Sequence, residues 1–502
     1  MSSTSTPAKR TWSIKEIRDL VYKHFKKRAC WMQIQAALAI HDGLDAITCA
    51  ATGSGKTLSF WMPVLMAKDE GRDVMSLLVT PINLLGQQNA GTLEKAGLRA
   101  IAVSAENANE KTFEDIEAGK YDIVIINPEL IMSDAMTSLL RKEAVYSRIL
   151  SIIFDEGHCV SQWARFRQEY KYLGLLRFIL APSIPFYVAS ATFPPDVLAE
   201  VKTTLRLRDG KTKCIMRSND RADIRLGVRV MKSPATSMKD LEFLIPLGTS
   251  RTCAPPKFVV FFDNIKEAEK ATRRIRELLP PELRHKLKWF HAAMTPQYRE
   301  ETLEAFRKGD IWGIFATDAF GMGMDLPDIK IVVQWKATCD MCTLWQRFGR
   351  AARGEGEDGI AILIVENKDT LAAREEKARL AEQRRKNREG IGTLSNTATN
   401  GKKRKATDLQ DSEAPPAKQQ ILTSSSGQPL PLPQRADNAE TPQPASGLNT
   451  ASITVKKPAG KTNLKGRTPV VEEGNVLDLF INTSTCRREV SSNFFGNDKT
   501  RE

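Results

Sequence analysis

The chain has no apolar run near the roughly 18 consecutive residues that a membrane-spanning helix requires, so no helical span is expected. Its first residues, MSSTSTPAKRTWS, contain no apolar core of a signal peptide and read as a short flexible lead. Cysteines are sparse for 502 residues: eight, at Cys30, Cys49, Cys159, Cys214, Cys253, Cys339, Cys342 and Cys486. That excludes a disulfide scaffold and points to a reducing compartment. Cys339 and Cys342 are spaced for a metal, but no second pair lies near them, so no metal role is assigned. Between about 390 and 470 there are too few aromatic and apolar residues to bury, and disorder is expected.

What is present fits a multidomain α/β protein. The length allows about two to four domains. Hydrophobic residues make up 41%, enough for real cores, and the net charge of +14 suits a polyanionic partner such as nucleic acid. Half of that charge lies beyond residue 366. Short, β-branched, almost wholly apolar runs recur: DAITCA (45–50), SLLVTP (76–81), DIVIINP (122–128), LSIIFDE (150–156) and PFYVASAT (185–192). A second set follows: KFVVFFD (257–263), WGIFATD (312–318), KIVVQW (330–335) and GIAILIV (359–365). Such runs are the pattern of parallel strands buried on both faces. Two sets predict two parallel-sheet lobes, with a boundary near 218–226. The expected organisation is a lead (1–15), a first lobe (16–217), a second lobe (218–366), a charged helix (367–389), a disordered basic linker (390–470) and a last segment (471–502).

Three motifs carry chemistry. Ala50-Ala51-Thr52-Gly53-Ser54-Gly55-Lys56-Thr57 follows a predicted strand and precedes a helix-like run. Small residues there let backbone N–H groups wrap phosphates, Lys56 reaches the β/γ oxygens, and Thr57 turns its hydroxyl to Mg²⁺. Asp155-Glu156 ends another predicted strand; Asp155 is placed to hold Mg²⁺ and Glu156 to orient the attacking water. In Gln346-Arg347-Phe348-Gly349-Arg350-Ala351-Ala352-Arg353, Arg350 and Arg353 lie three apart and would share a helix face as arginine fingers.

Together with DEGHCVSQW (155–163), FATDAFGMGMDLPDI (315–329), WFHAAMTPQYREETLEAF (289–306), LVTPINLLGQQ (78–88), INPELI (126–131), ASAT (189–192) and DRADI (220–224), this set resembles the RecQ family of DNA helicases over residues 20 to 365. DEGH stands for the usual DEAH, with Gly157 as the change. The resemblance implies two RecA-like P-loop lobes and ATP-driven 3′-to-5′ translocation on single-stranded or forked DNA by a monomer in recombination or repair. It assigns Gln33 to adenine, and Thr52, Gly53, Ser54, Gly55, Gly323, Asp325 and Gln346 to the nucleotide. It gives Ser190 and Thr192 to coupling, and Pro81, Trp163, Phe166, Arg167 and Thr317 to nucleic acid.

The sequence departs from that family in three places. WARFRQEY (163–170) is one residue shorter than the family loop and lacks its histidine. The aromatic and arginine that flank adenine upstream of Gln33 are out of register, leaving Phe25, Arg28 or Trp31 as substitutes. INTSTCRREVSSNFFGND (481–498) resembles the start of the family's zinc module, with Cys486 as first ligand, but no further cysteine follows, so zinc is not expected and unwinding should be weak. Arg384-Arg385-Lys386 and Lys402-Lys403-Arg404-Lys405 predict nuclear import. An RNA helicase of the same superfamily and a non-catalytic nucleic-acid-binding remnant are the competing readings.

Overall fold

In the computed structural model, residues 10–81, 90–164, 167–320, 326, 328–354, 356–395 and 473–497 are described. The phosphate-loop helix, the carboxylate pair and the arginine motif all hang from two parallel sheets. The first sheet runs β1 (Asp45–Cys49), β2 (Met75–Val79), β3 (Ala100–Val103), β4 (Ile123–Ile126), β5 (Ile149–Phe154), β6 (Phe186–Ser190) and β7 (Thr212–Met216). Its spatial order is β3-β4-β2-β5-β6-β1-β7. The second contains β8 (Ile224–Val230), β9 (Phe258–Phe261), β10 (Leu287–Phe290), β11 (Gly313–Ala316), β12 (Ile331–Trp335) and β13 (Gly359–Val365), ordered β10-β11-β9-β12-β13-β8.

Each sheet is covered on both faces, and the strands divide their side chains between the two layers. On β1, Ala46 joins one apolar cluster while Ile47 and Cys49 join the other. On β9, Val259 and Phe261 face one layer while Phe258 and Val260 face its opposite. This alternation inside unbroken apolar runs is what a doubly covered parallel sheet demands. A buried charge also anchors the first sheet. Asp45 opens β1, fully buried, and accepts from Arg177 at 2.6 Å and Arg208 at 2.8 Å.

The stretch expected to be a flexible lead contains ordered structure. Trp12 is buried, its indole donates to Glu70 at 2.8 Å, and Ser13 caps the helix Ile14–Phe25 through a reciprocal bond with Glu16. A sequence window without periodicity hid this, because Trp12 packs against a helix more than fifty residues away.

The last segment forms two helices, Glu473–Asn482 and Arg487–Phe495. Val476, Phe480, Ile481 and Phe495 are buried in the second lobe's core. The charged stretch is helical over Leu371–Ser395, with exposed ion pairs such as Lys386–Glu382. Residues 380–470 separate from the rest as a unit of their own. No described helix is long and apolar enough to cross a membrane.

Candidate active site

Strand order explains why motifs more than a hundred residues apart converge. β6 lies between β5 and β1, and all three are parallel, so their C-terminal ends form one edge. The phosphate loop leaves β1, Asp155-Glu156 leaves β5, and Ser190 ends β6 between them. Ligands of open α/β sheets bind at this edge.

Gly53 and Gly55 adopt φ of +86° and +76°, a left-handed backbone that glycine takes without penalty. Gly55 then caps the helix Lys56–Asp69, so the loop's N–H groups gather at a helix N-terminus, where an anion is favoured. Gln33 anchors this turn: its Nε2 donates to the Gly55 carbonyl at 2.8 Å, and its Oε1 accepts from Cys30 N. A Cβ on Gly55 would lie 2.8 Å from that Nε2. Lys56 Nζ donates to the carbonyls of Ala50 at 2.8 Å and Ala51 at 3.1 Å. Loss of hydration pushes the Lys56 ammonium below its ordinary pKa, against the pull of Glu156 and Asp155.

Asp155 feels the converse. Desolvation, then the neighbouring Glu156, raises Asp155 to about 7. Glu156 holds a left-handed backbone (φ +49°), and its shielded Oε2 has no hydrogen-bond partner. Two adjacent carboxylates in this state favour a cation. Mg²⁺ fits, because it keeps several waters and needs only one or two protein carboxylates beside the phosphates. Asp155 and Thr57 at the head of the phosphate-loop helix would hold it. Among the described residues no group of three or more His, Cys, Asp or Glu is placed to hold a metal.

His158 organises the next layer. It is buried, and desolvation lowers its pKa, favouring the neutral imidazole. Nδ1 lies 2.8 Å from Ser190 Oγ, and Nε2 lies 2.9 Å from Gln346 Nε2, which also donates to Thr192 Oγ1 at 2.9 Å. One proton arrangement satisfies all of these: Nδ1–H donates to Ser190, and Nε2 accepts from Gln346. Gln346, read from the sequence as a nucleotide contact, thus sits in the same network as Ser190 and Thr192. It joins the carboxylate motif of the first lobe to the arginine motif of the second.

Arg350 and Arg353 do not share a helix face. The helix Met341–Phe348 ends before them, capped by Gly349, and Ala352 turns at φ +50°. Gly349 packs so close to Thr52 that a Cβ on it would fall 2.9 Å from that side chain. Arg353 lies against the phosphate loop: a Cβ on Gly53 would meet its Cγ at 3.8 Å. Its Nε donates to the Gly349 carbonyl at 3.1 Å. Arg350 is buried in the turn between them.

Two arginines escaped the sequence reading. Arg347 is buried and binds Asp263 and Asp318, each at 2.6 Å, together with Gln334. Arg221, in the linker between the sheets, donates to the Thr52 carbonyl at 3.1 Å and to the carbonyls of Ala351 and Ala352. Its available signal was a paired charge, Arg221 with Asp223, in the DRADI stretch read as a family motif at the lobe boundary.

Known proteins match the same two segments. The DEAD/DEAH box helicase profile matches residues 31–201, and the helicase conserved C-terminal domain matches 240–355. The bifunctional 3′-5′ exonuclease/ATP-dependent helicase WRN of Mus musculus is 27% identical over 64% of this chain and 22% of its own length. The ATP-dependent DNA helicase RecQ of Haemophilus influenzae is 24% identical over 66% and 50%. The chain carries the two domains of a superfamily 2 helicase and is similar to RecQ-family helicases. A putative ATP-dependent RNA helicase of Acanthamoeba polyphaga mimivirus is also similar, at 26% over 73% and 63%. The chain thus spans from about a fifth to under two thirds of these relatives. Among solved structures, the helicase MrfA bound to DNA and AMPPNP shares the fold, with TM-score 0.57 and 19% identity over 70% of this chain and 50% of that one.

On this RecQ-like frame, three of the residues assigned to nucleic acid come together. Trp163 meets Tyr170 edge-on with ring centroids 6.1 Å apart, and the Arg167 guanidinium lies 5.5 Å from the Trp163 ring centre. Arg167 also donates to the Pro81 carbonyl at 3.1 Å and pairs with Glu129 at 2.6 Å. Thr317 stands apart from them, at the end of β11 in the second lobe, with its N–H on the Phe290 carbonyl. Phe166, Gly323 and Asp325 lie outside the described residues. Cys486 is exposed at the start of the last helix.

Proposed function

We propose that this RecQ-like protein is an ATP-dependent 3′-to-5′ helicase that hydrolyses ATP with Mg²⁺ to move along single-stranded DNA. One observation carries the reading: the phosphate loop of the first lobe is faced by Gly349, Arg353 and Arg221, so the hydrolytic site is composite. Lys56 and the loop amides hold the phosphates, Glu156 orients and deprotonates water, and Arg353 with Arg350 offsets transition-state charge. Bound Mg²⁺ supplies neutralisation of the phosphate oxygens. A chemical step that needs groups from both lobes couples to lobe closure, and lobe closure is how such a motor moves. The His158–Gln346 contact supports that coupling.

DNA as the track rests on the resemblance of the motifs and on the relatives named for DNA; the mimivirus relative favours RNA as the second reading. Stacking on Trp163 and phosphate contacts from basic groups suit either strand type, with affinity that falls steeply as salt rises. Nuclear import through the basic cluster at Arg384-Arg385-Lys386 and the one at Lys402–Lys405, which lies outside the described residues, belongs to the same proposal, as does a role in recombination or repair.

The test is phosphate release by the purified chain with no strand, with single-stranded DNA and with single-stranded RNA, followed by unwinding of duplexes carrying 3′ or 5′ tails. DNA stimulation and a 3′-tail requirement are expected. Stimulation by RNA alone would move the assignment to the second reading, and no hydrolysis under any condition would defeat both.

A further inference from the structure

The two C-terminal helices do more than cover the second lobe. Arg488, from the last helix, reaches the inter-lobe linker 264 or more residues away in sequence. Its guanidinium donates to the Asp220 carboxylate at 2.5 Å, to the Arg221 carbonyl at 2.9 Å and to the Ile224 carbonyl. Three acceptors on one planar fork hold residues 220–224 in a single conformation, something a lysine's point charge cannot do. At the end of the same helix, Asn497 and Asn219 exchange bonds: Asn497 Nδ2 donates to Asn219 Oδ1 at 2.9 Å, and Asn219 N donates to Asn497 Oδ1 at 3.3 Å.

The two linker residues fixed in this way each touch both lobes at the nucleotide edge. Asn219 is buried; its Nδ2 donates to the Ala191 carbonyl, between Ser190 and Thr192, at 3.0 Å. Its own carbonyl accepts from Trp345 Nε1, the neighbour of Gln346, at 3.0 Å. Arg221 ties Thr52 of the phosphate loop to Ala351 and Ala352, which flank the arginines. The helix is seated by Phe495, buried against Trp345 with ring centroids 5.6 Å apart.

We infer that the C-terminal helix pair sets closure of the ATP site through the linker, with Arg488 and Asn497 as positioning residues that hold Arg221 and Asn219 across the cleft. The linker is a short polar stretch, and without these clamps its backbone would sample many conformers, so Arg353 would be delivered in only a fraction of them. The inference rests on the ATPase reading above.

The experiment is steady-state ATP hydrolysis by the full chain with saturating single-stranded DNA, together with thermal unfolding. Arg488→Ala should lower kcat about tenfold while changing the KM for ATP by less than about threefold, because the phosphate loop's own contacts remain. Arg488→Lys should recover only part of the loss. Asn497→Ala, which leaves Arg488 in place, should cost about threefold and guards against misfolding of the first variant. Arg221→Ala combined with Arg488→Ala should be no slower than the slower single variant, since both break one chain of contacts. Losses that multiply, an unchanged kcat in Arg488→Ala, or full recovery with lysine would each overturn the inference alone. A wild-type chain that hydrolyses no ATP would overturn the ATPase reading and this inference with it.

Discussion

The two lobes bring charge to the nucleotide edge in opposite ways. The first lobe gathers groups left partly uncompensated. Lys56 is held by two carbonyls instead of a carboxylate, Asp155 is pushed up to about 7 by desolvation and by Glu156, and Glu156 Oε2 has no hydrogen-bond partner. The second lobe neutralises within itself. Arg347 is buried; burial works against its charge, but Asp318 and Asp263 outweigh that and raise its pKa above the ordinary arginine value. The first arrangement suits a site that waits for a cation and a polyphosphate. The second suits a rigid frame that presents Arg353 from a turn.

The comparison breaks most visibly if the first lobe's partly uncompensated charges are dispensable. Lys56→Ala and Glu156→Gln should each reduce DNA-stimulated turnover by on the order of a thousandfold or more, as expected when preorganised electrostatics supply most of the rate. They should differ in binding: the glutamine variant should retain ATP, measured by filter binding, and the alanine variant should not. Unreduced turnover in either would remove it from the chemistry.

A sharper contrast lies within the arginine motif. Arg353→Ala should lower turnover roughly a thousandfold and leave the melting curve unchanged, as for loss of an arginine finger. Arg347→Ala leaves the buried Gln334 Oε1 without its donor and should destabilise the second lobe by about 1–3 kcal/mol, read by denaturant titration. Equal melting of both variants would show that the division between frame and reagent is wrong.

Legibility in the sequence followed burial. All nine strands expected from apolar runs are interior strands of the two sheets. The four that went unread, β3, β7, β8 and β10, are the four sheet edges. An edge strand has one neighbour and partial exposure: in Thr212–Met216 only Ile215 is buried, so no continuous apolar signal survives. The phosphate loop and carboxylates were readable because phosphate chemistry restricts residue type at fixed spacing. Arg221, Asn219 and Arg488 were not, because their contacts across the cleft span 28 to 278 residues and hydrogen bonds to carbonyls leave no mark on the acceptor's identity.

The smallest effect concerns Gly157, where the usual alanine of this motif is absent. Its N–H donates to the Ala189 carbonyl on β6 at 2.8 Å, drawing the turn after the carboxylates tightly onto that strand. A Cβ there would fall 2.3 Å from Val188 Cγ1 and 3.2 Å from Phe193 Cζ. Valine is stiff at χ1, and Val188 is fully buried, so the methyl cannot swing aside without moving β6. Gly157→Ala should therefore cost about 1–3 kcal/mol of stability, the usual range for overpacking. Turnover should fall only a few-fold, because no reacting group is lost. Val188→Ala alone should also destabilise, through the cavity it opens. In the double variant the new methyl occupies space that Cγ1 has vacated, so the two costs should fall short of additive by about 1 kcal/mol. Denaturant titration of the four proteins in this cycle decides it. Strict additivity would mean that Gly157 is a glycine for its backbone and not for the room it leaves beside Val188.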